Sequence, residues 1–271
     1  MKHLAGSYDN GAAVDDENVI LASFQSRSQS VYQKVRNERN IPYGSSAREV
    51  FDWLYSVEEH KGTLIFLHGG YWQFCNKEDF AFIAETPLSL GFDVVLVEYT
   101  LAPFVTLADI CQQIGVALDA IERRAKQYGN KPLYLSGHSA GGHLAAYWQH
   151  HPCVHAVFPI SGIFELEPLL ATYVNRQLQL TEQQIETLSP ARRLPQHLKP
   201  MMLFYGAAEL PELINQSLFY YAALKDKGLP VSQYAVTGAN HFNVLDALFA
   251  AGGALSRQLL IYGESTDADN H

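Results

Sequence analysis

Short apolar runs alternate with longer amphipathic stretches along the chain from about Glu49 onward. The apolar runs are rich in β-branched and aromatic residues and are bounded by glycine, as buried strands are. In chain order these runs are TLIFLHG, FDVVLVEY, PLYLSG, HAVFPISG, PMMLFYG and VSQYAVTG. Alternation of strands with helices predicts an α/β fold with a mostly parallel sheet covered by helices on both faces.

Two of the intervening stretches are predicted to be helices. After Pro103, apolar residues recur at helical spacing, and they are Leu107, Ile110, Ile114, Leu118 and Ile121. Thr106 and Asp109 precede and open this pattern as a capping box does, with Asp in place of the usual Glu. The second predicted helix is AGGHLAAYWQHH, which follows the strand PLYLSG.

The segment from Ile163 to Lys199 is too long for a simple connection and contains two helix-like pieces. The second piece, LTEQQIETLSP, has Thr181 and Gln184 at capping-box spacing and Pro190 just past its end. An ordinary long crossover is one interpretation. We favour a small helical cap, inserted within a single domain of residues 1–271, over the edge of the sheet where open α/β folds bind ligands.

Composition and charge restrict the class of protein. Of the 271 residues, 48% are hydrophobic and 17% are charged, so a sizeable core is expected. The formal net charge of -9 argues against a nucleic-acid partner, because such partners generally need a basic face. No transmembrane span or signal peptide is apparent, and the three cysteines lack a pairing or metal-ligand pattern. We therefore expect a cytoplasmic protein with no membrane partner.

The strand PLYLSG runs into the pattern G-x-S-x-G, formed by Gly137, His138, Ser139, Ala140 and Gly141. The pattern alone is weak, but here it follows a strand and opens a helix, which is the setting of a nucleophile elbow. Small flanking residues permit the tight turn that leaves a serine hydroxyl clear at the helix N-terminus. Ser139 is therefore predicted to be a catalytic nucleophile.

A serine nucleophile needs a base and an acid that orients the base. In α/β folds that carry a nucleophile elbow, the catalytic residues follow one another along the chain in the order Ser, then Asp or Glu, then His. His241 follows the last predicted strand, and Glu209 is the first carboxylate after the strand PMMLFYG. Glu212 is the alternative acid, although its place after Pro211 also suits the first turn of a helix. We choose Ser139, Glu209 and His241 as the catalytic triad.

The stretch LIFLHGGYWQF places two glycines between a buried strand and two bulky rings. Negative charge develops on the carbonyl oxygen when a serine attacks, and fixed N–H donors must face that position. The loop after such a strand, together with the residue after the nucleophile, supplies those donors in hydrolases of this kind. We expect the N–H groups of Gly70, Tyr71 and Ala140 to form the oxyanion hole.

Five residues beside these groups are predicted to contact the substrate, and they are Gly69, Tyr71, Trp72, His138 and Phe242. Tyr71 and Trp72 replace the third glycine of many such loops. Their rings either wall the site, which would suit an aromatic or flat substrate, or pack beneath the cap.

Four segments, HGGYW, GHSAGGHLAA, GAAELPELINQS and NHF, together resemble the kynurenine formamidase (arylformamidase) family of α/β-hydrolases. The resemblance extends in consistent order over most of the chain. It implies a nucleophile at Ser139, a catalytic histidine at His241 and an oxyanion loop over residues 69–72. The family's acid is commonly Asp at the position of Glu209, so the longer Glu is a departure that requires a small backbone shift.

The resemblance implies hydrolysis of an N-formyl arylamine to formate and the free amine, with no metal or organic cofactor. The resemblance supports the reaction mechanism more strongly than it supports a particular substrate. A small-acyl carboxylesterase, or a deformylase of a biosynthetic intermediate, would use the same groups. A non-catalytic receptor is the alternative of another class, and such proteins typically lose the nucleophile or the histidine. The expected partner is a small aryl formamide or ester, and a homodimer is left open.

Overall fold

The computed structural model describes residues 6–268, with side chains described to residue 264. Its strands are β1 (Asn37–Pro42), β2 (Val50–Leu54), β3 (Gly62–Leu67), β4 (Phe92–Val97), β5 (Leu133–His138), β6 (Val154–Ile160), β7 (Met201–Gly206) and β8 (Val231–Val236). They form one sheet in the order β1-β2-β4-β3-β5-β6-β7-β8. The pairs β1–β2 and β2–β4 are antiparallel, and all pairs from β4 to β8 are parallel. The predicted α/β-hydrolase sheet is confirmed.

The α-helices lie before, between and after the strands. They are α1 (Glu17–Lys34), α2 (Glu85–Ser89), α3 (Leu107–Ala125), α4 (Ala140–Tyr147), α5 (Asn175–Leu178), α6 (Glu182–Leu188), α7 (Pro211–Asp226), α8 (Val244–Phe249) and α9 (Ala254–Ala268). In residues 6–268, 3-10 helices also cover Gly11–Ala13, Lys77–Ala84, Lys126–Tyr128 and Glu167–Ala171.

The sheet has a hydrophobic core on each face. Along β3, Ile65 and Leu67 join the core that includes α3 and α4, whereas Leu64 and Phe66 join the core that includes α8 and α9. All six residues of β3 are buried, which is why its apolar residues run continuously from Leu64 to Leu67 rather than alternating with polar ones. Because the strands from β4 to β8 are parallel, their C-terminal ends lie at the same edge of the sheet, where the loops that follow them come together.

The predicted helix starts are confirmed more closely than the ends. Thr106 and Asp109 form the capping box of α3, with the Asp109 N–H donating to Thr106 Oγ1 over 3.2 Å. The prediction that a helix covers residues 140–151 was too long, because α4 ends at Tyr147. The peptide N–H groups of Trp148 and Gln149 donate to helix carbonyls in the closing turn.

Helix α1 had no counterpart in the sequence prediction. Only Phe24, Ser28 and Val31 are buried along its 18 residues, so its apolar stripe is narrow and includes a serine. The Ser28 hydroxyl donates to the Asp79 carbonyl over 2.9 Å and accepts the Phe82 N–H over 3.0 Å. The helix is attached to the 3-10 helix Lys77–Ala84 largely through these contacts and the packed ring of Phe24.

The segment 163–199 contains three short helical pieces, namely Glu167–Ala171, α5 and α6. Thr181 and Gln184 form the predicted capping box at the start of α6. Between the first two pieces, the carbonyl of Val174 accepts the side-chain amide of Gln73 over 2.8 Å. This contact attaches the segment to the loop that follows β3, and its role as a cap stays a prediction.

One described stretch, Val244–Glu264, is long and apolar enough by composition to cross a membrane, with a mean hydropathy of 1.4. The stretch is divided into α8 and α9, and half of its apolar window is buried. Leu245, Leu248 and Leu255 belong to the core against the sheet. Packing in that core accounts for the hydrophobicity of this stretch.

Candidate active site

Ser139 lies in the turn between β5 and α4, at the C-terminal edge of the sheet. Its backbone has φ 57° and ψ -115°, a conformation that non-glycine residues rarely adopt. The Ser139 N–H donates to the carbonyl of Ile160 over 2.9 Å, and α4 begins at the next residue. A strained serine between a strand and a helix is the geometry of a nucleophile elbow, and the strain costs on the order of 1–3 kcal/mol.

Gly141 is required by the close packing of the turn. A Cβ atom at this position would lie 1.9 Å from the carbonyl oxygen of Leu67, at the end of β3. Such a contact is far shorter than any van der Waals distance. The last glycine of the G-x-S-x-G pattern therefore lets α4 start against the neighbouring strand.

His241 lies in the loop after β8, and Glu209 lies in the loop after β7. The His241 Nδ1 atom is 2.8 Å from Glu209 Oε2, and the Glu209 side chain is fully buried. The other carboxylate oxygen accepts the Ser161 hydroxyl over 2.5 Å and the Gly206 N–H over 2.6 Å. With Nδ1 donating to a fixed carboxylate, the Nε2 atom of His241 is left as a proton acceptor.

Glu212, the alternative acid, occupies a different environment. It lies in the first turn of α7, two residues after Leu210, and is partly exposed. A carboxylate there is favourable for the helix dipole alone. Of the two candidates, Glu209 is the one that the structure brings to His241.

The loop after β3 has unusual backbone angles. Gly70 has φ 98°, and the two residues that follow, Tyr71 and Trp72, have φ 49° and 60°. A Cβ at Gly70 would lie 2.4 Å from the carbonyl oxygen of Phe74, so the tight turn requires glycine on two counts. In the described part of the chain, the N–H groups of Gly70, Tyr71 and Ala140 donate to no other residue. Donors without partners are what an oxyanion hole requires.

A buried ionic group supports this loop from below. The His68 ring donates from Nε2 to Glu98 Oε1 over 2.9 Å and from Nδ1 to the Gly69 carbonyl over 2.8 Å. The Tyr99 ring stacks on His68 at 4.2 Å, and its hydroxyl donates to the His68 carbonyl over 2.9 Å. Arg48 also donates to Glu98 Oε1, over 2.7 Å. The two bonds to carbonyl groups hold the backbone at His68 and Gly69, directly before the predicted oxyanion donors.

The charge state of Glu98 follows from the same contacts. Burial by itself raises the pKa of this carboxyl, but the charges of His68 and Arg48 and the hydrogen bonds outweigh burial. The net result is a pKa below the usual value for Glu. The sequence analysis included this glutamate only in the predicted strand FDVVLVEY and gave it no role.

A cavity of about 540 Å³ opens above Ser139 and His241. The residues that line it are Asp9, Asn10, Gly11, Glu17, Leu21, Phe24, Gln25, Gly70, Tyr71, Phe74, Cys75, Asn76, Asp79, Phe80, His138, Ser139, Tyr173, His241 and Phe242. The volume falls within the range of about 300–1,000 Å³ that is usual for small-molecule sites. Six predicted site residues thus line one cavity, namely Gly70, Tyr71, His138, Ser139, His241 and Phe242.

Trp72 does not line this cavity, and its prediction as a substrate contact was wrong. The side chain is fully buried, and its ring meets the ring of His143 at 5.0 Å and 89°. The left-handed backbone at Trp72 turns the indole into the core on the α4 face of the sheet. Of the two interpretations given above for this ring, packing in the interior is the one that the structure supports for Trp72.

Gly69 also lies beneath the cavity rather than on its wall. A Cβ there would be 3.1 Å from His138 Nδ1 and 3.3 Å from Ser139 Cβ. The missing side chain therefore makes room for the elbow. Gly69 was predicted to touch substrate, and the structure instead gives it this packing role.

His138 is buried beside His241, with ring centroids 4.5 Å apart. Its Nε2 atom lies 2.8 Å from the backbone carbonyl of His241 and donates to it. Burial, together with the neighbouring His241, lowers the pKa of His138 well below its usual value. A neutral His138 that holds the His241 backbone is a positioning residue, and it also reaches the cavity wall.

The N-terminal segment forms a wall of the cavity that sequence reasoning missed. Seven of the lining residues fall between Asp9 and Gln25. Tyr71 joins this segment to the site, because its hydroxyl donates to the Tyr8 carbonyl over 2.6 Å. The only signal in the sequence was the resemblance, which extends over most of the chain. No local pattern connects this segment to a site more than a hundred residues away.

No group of three or more His, Cys, Asp or Glu side chains within the described residues is arranged to hold a metal ion. The three cysteines are free, and burial raises the pKa of Cys75, which lines the cavity, to about 12. The candidate reactive groups of the cavity are the hydroxyl of Ser139 and the imidazole of His241.

Comparison with known proteins identifies the family. A family model described as α/β hydrolase fold matches residues 64–192. A kynurenine formamidase from Danio rerio is 35% identical over 257 residues, which is 89% of this chain and 85% of that protein. One from Salmo salar is 34% identical, over 82% of this chain and 80% of that protein. The chain belongs to the kynurenine formamidase family.

A solved structure from Silicibacter sp. TM1040 has the same fold as this family member. It is 27% identical, with a TM-score of 0.86, and the match covers 95% of this chain and 99% of that chain. The expected family and fold are confirmed, and the protein is an α/β-hydrolase enzyme. The non-catalytic alternative is set aside.

Proposed function

We propose that this protein hydrolyses N-formyl arylamines of the N-formylkynurenine type through an acyl-enzyme, with Ser139, His241 and Glu209 as its catalytic triad. The observation that carries the proposal is the 2.8 Å contact between His241 Nδ1 and Glu209 Oε2, beside a strained elbow serine in the same cavity. The names of the relatives supply the substrate type.

The first half of the reaction acylates the serine. His241 Nε2 takes the proton from Ser139 Oγ as the oxygen attacks the formyl carbon. Negative charge moves onto the formyl oxygen, where the free N–H groups of Gly70, Tyr71 and Ala140 stabilise it. Glu209 stabilises the positive imidazolium. Removing one donor of such a hole typically costs about 10²–10³ in kcat.

The C–N bond then breaks. Protonated His241 donates its proton to the departing nitrogen, which a poor amine leaving group needs more than an alkoxide does. The free arylamine leaves and formyl-Ser139 remains. Water, deprotonated by His241, attacks that ester, and formate leaves with restoration of the serine hydroxyl.

The cavity supports an aromatic leaving group. Its wall includes the rings of Phe24, Phe74, Phe80, Tyr173 and Phe242. Aromatic rings gain dispersion and quadrupole energy against such walls, about 0.5–1.5 kcal/mol per pair beyond area burial. An ester of the same aryl group would fit equally well, so a small-acyl carboxylesterase is the second candidate.

The test compares matched substrates on one aryl ring, namely the formamide, the acetamide and the acetate ester of a 2-acylaniline or 2-acylphenol. Each kcat/KM is divided by the rate constant of the uncatalysed reaction, which removes the intrinsic reactivity of the ester. We expect the formamide to give the largest ratio, about 10-fold or more above the acetamide, since one added methyl in a tight site costs about 1–3 kcal/mol. A larger ratio for the ester would favour the carboxylesterase.

A further inference from the structure

Ser161 directly follows β6 and contacts the candidate orienting acid, Glu209, without reaching the cavity. The residue is fully buried and is not among those that line the cavity above Ser139. Its N–H donates to the Phe204 carbonyl over 2.7 Å, so the pairing of β6 with β7 fixes its place. A serine in this position cannot touch a substrate, and any effect on the reaction must pass through Glu209.

The backbone of Ser161 is strained. Its φ of 49° lies in the left-handed region, which glycine adopts readily and other residues seldom do. Positive φ values also occur at Ser139 and Tyr71, in the elbow and in the loop after β3. Strained residues of this kind concentrate at functional sites, where the surrounding structure holds them in place. A side chain at residue 161 is therefore kept although glycine would suit the backbone better.

The contacts of the Glu209 carboxylate are divided between its two oxygens. Oε1 accepts the Ser161 hydroxyl over 2.5 Å and the Gly206 N–H over 2.6 Å, whereas Oε2 faces His241 Nδ1 at 2.8 Å. The first distance is typical of a hydrogen bond from a hydroxyl to a charged carboxylate, about 2.5–2.7 Å. The last torsion of a glutamate side chain has no sharp preference of its own. Two donors on one oxygen therefore set the plane of the carboxylate and leave the other oxygen for the histidine.

The backbone around the carboxylate leaves its orientation to these donors. A Cβ at Gly206 would lie 3.0 Å from Glu209 Oε1, so the glycine makes room for this oxygen. The Ala208 N–H donates to the Ala239 carbonyl over 2.9 Å, which ties the loop after β7 to the loop that carries the histidine. In the described part of the chain, no lysine or arginine forms an ion pair with Glu209. Besides the histidine, Ser161 is there the one side chain that donates to this acid.

We propose that Ser161 is a positioning residue of the reaction, and that its hydroxyl holds the Glu209 carboxylate so that Oε2 stays in line with His241 Nδ1. The inference rests on the triad of the proposed function and adds a fourth residue to it. When His241 takes the proton of Ser139, positive charge develops on the imidazole, and a carboxylate that is already oriented stabilises this charge without moving. No bond to Ser161 forms or breaks. Its loss should therefore lower kcat and leave KM nearly unchanged.

Two substitutions remove the hydroxyl in different backbone settings. Ser161→Ala keeps the strained φ, and Ser161→Gly relieves it. We expect kcat to fall about 10-fold or more in both variants, the size of a lost hydrogen bond to a charged group, with KM within about twofold of the parent value. The matched control is Ser136→Ala, because Ser136 is equally buried but donates to the backbone carbonyl of Phe158, over 2.7 Å. A kcat unchanged in both Ser161 variants, with only the urea midpoint lowered, would mean a structural role and overturn the proposal.

Two further measurements show whether Ser161 acts through Glu209. In the Glu209→Gln background, Ser161→Ala should lower kcat less than about twofold further, because the carboxylate that it orients is already gone. The second readout is the proton NMR signal of His241 Nδ1–H, identified by its absence from a His241→Ala variant. This signal should shift or broaden in Ser161→Gly and stay in place in Ser136→Ala. Additive losses of kcat, or a signal that does not change in Ser161→Gly, would contradict the assignment.

Kinetics on both an aryl formamide and the matching aryl acetate ester separate this inference from the reaction proposed above. If only the ester is cleaved, the proposed substrate type fails, while the role of Ser161 is still measured on the ester because both substrates use the same triad. If Glu209→Gln lowers kcat and the Ser161 variants do not, the triad stands and the positioning role falls. If Glu209→Gln leaves kcat unchanged, the triad and the role of Ser161 fall together.

Discussion

The two walls of the cavity are built in opposite ways. On the sheet side, the candidate orienting acid is buried and paired, since Glu209 receives three hydrogen bonds, from His241, Ser161 and Gly206. On the side of the N-terminal segment, Glu17 is exposed and unpaired. A group that must keep one orientation through a reaction is held by hydrogen bonds, whereas an exposed carboxylate has water to satisfy its oxygens, so the fold does not fix its orientation.

Ser139→Ala is the variant with the largest expected effect, and it tests the candidate nucleophile on the sheet side of the cavity. We expect kcat to fall on the order of 10⁶-fold, since loss of a triad nucleophile costs about that much in a comparable serine hydrolase. Circular dichroism should remain that of the parent protein, because alanine fits where serine does. Retention of more than about a tenth of the activity would mean that another nucleophile acts.

Glu209→Gln tests the orienting acid. The neutral amide cannot stabilise the imidazolium and favours the wrong tautomer of His241, so kcat is expected to drop about 10³–10⁴-fold. Glu212→Gln, on the first turn of α7, is the matched control and should change kcat less than about threefold. The reverse order of effects would exchange the roles of the two glutamates.

Glu98→Gln tests the buried ionic group beneath the oxyanion loop. Removing one member of a buried ion pair leaves His68 without its counter-charge, and we expect a loss of about 3 kcal/mol in the free energy of unfolding. Urea denaturation measures it. Glu17→Gln on the opposite wall is the contrast, with an expected change within about 0.5 kcal/mol because that carboxylate is exposed and unpaired.

Glu98 also makes the stability of the protein depend on pH, and Glu98→Gln tests this dependence. The folded protein holds the pKa of Glu98 below its unfolded value of about 4.3, so the stabilisation is complete above that pH. It is lost as the pH falls through the lower, folded pKa. Between these pH values, the stability of Glu98→Gln should decline less steeply than that of the parent, and parallel curves would show that Glu98 does not contribute to the acid transition.

How far the sequence could predict the structure depended on whether a signal was local. The strands from β3 to β8 and the capping boxes of α3 and α6 could be predicted, because periodicity and caps act between neighbours within a few residues. Helix α1 could not, since its buried stripe has only three residues and one of them is serine.

By itself, the sequence determined the α/β class, the elbow at Ser139 and the order of the candidate triad. The alternation of strands and helices predicts parallel strands, and parallel strands such as β5, β7 and β8 all end at the same edge of the sheet. Only the tertiary structure decided that Glu209 rather than Glu212 meets His241, and that Trp72 packs in the core. It also brought Asp9 and Glu17 to the cavity. These outcomes depend on side-chain direction and on contacts between segments distant in sequence, and a linear pattern encodes neither.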